Sequence, residues 1–104
     1  MTDESTIFAE IEALLAERGR PSLDRLEHGL TSGYAAALAL EAERSRLERG
    51  ITTAAGLLEG RGDGERADEI ARLARALSTA DADLERLRAM LARLRARTTA
   101  ARAA

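Results

Sequence analysis

Apolar residues recur three and four apart over nearly the whole chain, and two short segments interrupt them. Ile70, Leu73, Leu77, Ala80, Leu84, Leu87, Leu91 and Leu94 alternate those spacings without a break, which is the a/d seam of a coiled-coil helix. A less regular seam comes earlier, through Leu23, Leu26, Leu30, Gly33, Ala37, Leu40, Arg44, Leu47, Ile51, Ala54 and Leu58. A third, shorter run of Ile7, Phe8, Ile11, Leu14 and Leu15 also has helical spacing. The first interruption is Gly19-Arg20-Pro21-Ser22. Gly19 suits a left-handed helix stop, Pro21 cannot continue a helix, and Ser22 suits the cap of the next one. The second is Gly60-Arg61-Gly62-Asp63-Gly64, with Asp63 as a candidate cap. The pattern predicts helix 1 over about 4–18, helix 2 over about 22–59 and helix 3 over about 64–97. The turn falls at 60–64 and the tail 98–104 is expected to fray, all within a single helical domain over 1–104.

Folding helices 2 and 3 back at the glycine turn tests the two seams against each other. In an antiparallel coiled coil, a positions face d positions. A register centred on Gly62 pairs Ile51 with Leu73, Leu47 with Leu77, Arg44 with Ala80 and Leu40 with Leu84. It then pairs Ala37 with Leu87, Gly33 with Leu91 and Leu30 with Leu94. Small residues meet large ones, as close packing requires. The expected fold class is all-α: an antiparallel coiled-coil hairpin roughly 50 Å long from the 1.5 Å rise per residue. Helix 1 must bury its apolar face on this hairpin or on a second subunit. Helix 3 offers a small-residue stripe, Ala82, Ala89, Ala92 and Ala96, flanked by Met90. Because helix 1 is short, the end near Gly62 is expected to stay two-stranded unless the protein dimerises.

Composition narrows the chemistry. All 16 basic side chains are Arg, Lys and Cys are absent, and aromatic residues make up 2% of the chain. Without cysteine there is no disulfide, thiol catalysis or thiolate metal site. Arg without Lys, beside abundant Ala, is what GC-rich codons produce, so the arginines are not read as a recognition device. The net charge of −2 gives no global attraction to nucleic acid or anionic membrane. No apolar run is long enough to cross a bilayer. The acidic start MTDESTIF leads into no apolar segment, so no secretory signal is expected. His28, the single histidine, falls on an outer helix position, and no serine has a base beside it. The expectation is no enzyme, no catalytic or metal site and no cofactor.

Arg44 is the one polar break in either seam. It suits a register device that passes the small Ala80 to reach a carboxylate, with Glu41 and Glu48 one turn to either side of it and Asp81 and Asp83 close to Ala80. It also suits a polar patch of Tyr34, Glu41, Arg44 and Ser45 on which a partner or small ligand docks. In architecture the hairpin is similar to bacterial anti-sigma factors that bind cyclic di-GMP through a helical Glu-x3-Ser-x2-Arg-x3-Gln-x3-Asp motif. Glu41 and Ser45 match its first two positions. Glu48, Thr52 and Gly56 stand where Arg, Gln and Asp are needed, so the motif is not complete and membership is not claimed.

Arginines crowd the end of helix 3, at positions 86, 88, 93, 95, 97 and 102, beside the acidic helix 1. Intramolecular pairing is the expectation, and nucleic acid is not an expected partner, because no aromatics are interleaved for stacking. Arg61-Gly62-Asp63 spells the integrin tripeptide but is accounted for by turn chemistry.

The chain is therefore expected to be a cytoplasmic, non-catalytic protein–protein interaction module of the adaptor, regulator or chaperone-like kind. It would act through helix–helix contacts and form a homodimer, with no membrane role. The partner-facing residues are expected to be Ile7, Phe8, Ile11, Leu15, Ala82, Ala89 and Met90. The alternatives are a small-ligand or nucleotide sensor at the Tyr34/Glu41/Arg44/Ser45 patch, and a structural, self-assembling coiled coil.

Overall fold

A computed structural model describes residues 4–58 and 64–104. They form three helices and no strand: α1 (Glu4–Ala16), α2 (Leu23–Leu57) and α3 (Gly64–Ala103). Helices α2 and α3 pack closely as the helical hairpin that the two seams predict, with α1 as the short N-terminal helix. The expected turn and the Asp63 cap fall mostly on positions 59–63, outside the described residues.

Local chemistry sets the boundaries. α1 stops at Ala16, two residues before the expected end, and Gly19 takes the left-handed conformation at φ 104°. Ser22 caps α2: its Oγ accepts a hydrogen bond from the Arg25 N–H at 3.2 Å, while its carbonyl accepts from the Leu26 N–H at 3.1 Å. The C-terminal tail corrects the sequence expectation. Instead of fraying after residue 97, α3 continues to Ala103. Thr98 is 1% exposed, and its hydroxyl donates to the Leu94 carbonyl at 2.8 Å. Arg102 reaches Glu27 on α2 at 2.8 Å. A buried side chain and a cross-helix contact hold a segment that its composition alone leaves undecided.

The chain packs as two compact units. The first joins residues 1–39 with 85–104, and the second is Leu40–Leu84. In the first unit α1 supplies Ile7, Phe8, Ile11, Leu14 and Leu15, all buried. They meet Leu26, Ala36 and Ala37 of α2 and Leu87, Met90, Leu91 and Leu94 of α3 in one core. The close approach depends on two glycines one turn apart on α2. A Cβ on Gly29 would stand 2.8 Å from Leu14 Cδ1 and 3.2 Å from Leu94 Cδ2. One on Gly33 would overlap Leu91 Cδ2 and stand 3.1 Å from Ile11 Cδ1. α1 and α3 therefore both seat on the side-chain-free strip of α2. The contact of Gly33 with Leu91 is also one of the seam pairs read from the sequence.

The described residues of the second unit form two helical segments and no third. Leu40, Ala54, Ala80 and Leu84 are buried. The remaining large seam residues, Leu47, Ile51, Leu58, Ile70, Leu73 and Leu77, are only half-buried. Leu73 Cδ1 lies 3.4 Å from where a Cβ on Gly50 would stand, one residue from its expected opposite, Ile51. Burying a large aliphatic side chain contributes about 1.5–3 kcal/mol. Half-buried positions leave part of that stabilisation unrealised.

Candidate functional site

The residues expected to face a partner do not form one exposed surface. Ile7, Phe8, Ile11 and Leu15 lie in the core of the first unit, Ile11 with 0% exposure. Met90 is buried with them, whereas Ala89 in the first unit and Ala82 in the second are exposed. The correction has a physical reason. Gly29 and Gly33 let α1 settle between α2 and α3, so the chain satisfies its own apolar helix. What remains outside α1 is a shallow groove bordered by Glu12, Leu15, Arg86, Ala89 and Arg93. Its rim is charged and already paired in part. The Arg86 guanidinium bridges Glu12 and sits 4.6 Å from the centroid of the Phe8 ring.

The polar patch is also distributed. Tyr34, in the first unit, accepts a hydrogen bond on its hydroxyl from Arg95 Nε at 2.9 Å, with the guanidinium 5.8 Å from the ring centroid. Arg44, in the second unit, points Nε at Asp81 (2.8 Å) and at Glu48 (3.3 Å). This contact with the carboxylate beside Ala80 is the one a register device needs. Glu41 is half-buried and engaged. Ser45 is exposed and borders a shallow depression with Glu48, Arg49 and Thr52. Each ion pair of Arg44 is largely exposed, so its contribution is at most about 1 kcal/mol.

The basic cluster of α3 has internal partners. Besides Arg86, Arg95 and Arg102, Arg97 donates to the Leu14 carbonyl at 2.9 Å, satisfying a carbonyl in the last turn of α1. Arg88 is engaged as well. Glu27 and Tyr34, seven residues apart on α2, meet Arg102 and Arg95, seven apart on α3. These contacts run along the hairpin edge and specify antiparallel register more than they stabilise it. No family model, curated protein or solved structure matches this chain.

Among the described residues, no group of three His, Cys, Asp or Glu side chains could hold a metal ion. No helix of theirs is long and apolar enough to cross a membrane, and His28 is exposed on α2. Among the described residues, apolar area is left exposed singly in the first unit, at Leu38 (67%), Tyr34 and Leu23, and as a row along the seam of the second unit, extended by Leu57, which is 55% exposed. Sequence reasoning flagged that this end lacks a third helix but did not assign its residues to a site. The legible signal was Leu57 itself, a leucine beside the seam residue Leu58 and off the seam.

Proposed function

We propose that this chain is a non-catalytic protein–protein interaction module of the cytoplasm that docks a helical partner on the seam of its second unit. The observation that carries this reading is the contrast in burial between the two units. In the first unit the aliphatic residues of α1 and the α3 seam residues Leu87, Leu91 and Leu94 are buried, although Leu30 of α2 is half-buried and Leu23 exposed, whereas in the second unit six large seam residues remain half-buried. Helix-on-helix docking removes such area from water without rearranging the hairpin. A second copy of the chain is among the partners with the right chemistry. A ligand-sensing patch gains less support, because Arg44 is already engaged by two carboxylates and Tyr34 by Arg95.

The test compares tagged wild type with Ala76→Arg, a change at an exposed α3 position three residues from Leu73. Capture by the wild type that is lost in the variant, with helicity kept by circular dichroism, is the expected result. Equal capture by both, or a wild type that captures nothing and never self-associates, would refute the reading.

A further inference from the structure

We infer that the partner on this seam is a second copy of the same chain, joined two-fold so that the two hairpin segments form a four-helix bundle. The inference rests on the reading above that this seam is a docking surface. Three observations favour a second copy.

The first is the placement of small residues. In the first unit Gly29 and Ala36 on α2, and Met90 and Arg97 on α3, lie on the side that α1 occupies. The same heptad positions in the second unit are Glu43, Gly50 and Leu57 on α2 and Glu69, Ala76 and Asp83 on α3. Gly50 and Ala76 present little side chain, while Ile51, Leu57, Leu73 and Leu77 beside them are large and incompletely buried. A two-fold partner places the large residues of one copy against the small ones of the other, the condition for interdigitation.

The second is charge. Three carboxylates, Glu43, Glu69 and Asp83, fall on the same heptad positions, and the first two each have their own arginine. Arg46 pairs with Glu43 at 2.5 Å and Arg66 with Glu69 at 3.5 Å. The face is therefore locally neutral over Glu43–Leu57 and Arg66–Ala76, with Asp83 as a single charge at its end, and a copy of itself meets no block of like charge. A partner of strong opposite charge would find nothing here to select it.

The third is size. The paired segments are roughly 30 Å long by the helical rise and about 20 Å across as two helices. That is roughly 600 Å² in projection and more as accessible surface, close to the ~800 Å² per partner of a stable interface.

The experiment is sedimentation equilibrium from about 1 to 100 μM on the whole chain, whose monomer mass is 11.2 kDa. The expected result is twice that mass for wild type and for Leu38→Arg, an exposed position of the first unit away from this face. Ala76→Arg and Leu57→Arg should weaken the dimer by about 30-fold or more, the scale of a lost interface anchor. Both positions are exposed and arginine is a good helix former, so helicity should not fall. A dimer that survives both changes, or a wild type monomeric at every concentration, overturns the inference. In the monomeric case the capture assay separates the two failures. Capture lost in Ala76→Arg leaves the docking surface standing with a different protein on it, and capture unchanged or absent removes that reading as well.

Discussion

Replacing Gly33 with alanine should destabilise the protein, although the same replacement at Gly56 on the same helix should stabilise it. In a helix interior the exchange of glycine for alanine contributes about 1 kcal/mol in favour of folding, because alanine has less backbone entropy to lose. At Gly56, in the last turn of α2, nothing lies within 4 Å of the added methyl, so the gain stands alone but at the lower end, about 0.5 kcal/mol. At Gly33 the methyl would overlap Leu91 Cδ2, with Ile11 Cδ1 at 3.1 Å on another side. A leucine tip at the surface would swing away at little cost. Leu91 is buried, however, and Ile11 completely so, so the displaced atoms must move within the packed core rather than into solvent. Overpacking of this kind costs about 1–3 kcal/mol, which cancels or exceeds the gain in helix propensity. The two variants should differ by about 0.5–2.5 kcal/mol. At about 4–8 °C per kcal/mol, that is a gap of at least about 2 °C in Tm, with Gly56→Ala above wild type and Gly33→Ala at or below it. Thermal melts followed at 222 nm measure it. A Gly33→Ala variant as stable as Gly56→Ala would show that α1 and α3 do not close on α2 at this point, and the three-helix core would be wrong.

The other predictions follow the same physics. Ile11→Asp places a carboxylate in a site with no exposure and no partner, so it should cost about 4 kcal/mol or more and melt α1 away from the hairpin, seen as lost amide protection in residues 4–16. Arg44→Ala removes two largely exposed ion pairs and should change stability by no more than about 1 kcal/mol in urea unfolding; a larger loss would mean that Arg44 does more than guide register. Deleting Thr98–Ala104 removes a buried threonine and the Arg102–Glu27 contact, so the truncated chain should melt several degrees lower, about 1–2 kcal/mol; an unchanged Tm would restore the expectation of a frayed tail.

Much of the architecture was legible in the residue pattern because it is one-dimensional information. The alternation of three and four, the Gly19–Ser22 break and the pairing of Gly33 with Leu91 depend on neighbours in sequence or on one register constant, and helix periodicity propagates that register along both seams. The same pattern identified the apolar face of α1 but not its destination. An apolar stripe of Ile7, Phe8, Ile11 and Leu15 reads identically whether it packs on its own chain or on a partner. Only the space above Gly29 and Gly33 decides, and that space exists once three helices are assembled. The tail is a similar case: a chain end frays unless it is tied down, and what holds this one is the buried position of Thr98 and a carboxylate on another helix that meets Arg102. Periodicity determines which side of a helix is apolar, whereas the fraction of that side removed from water is a property of the packed chain. That difference separates the seam of the second unit, with Leu73 and Leu77 half-buried, from the same pattern in the first unit, which buries Leu87 and Leu94.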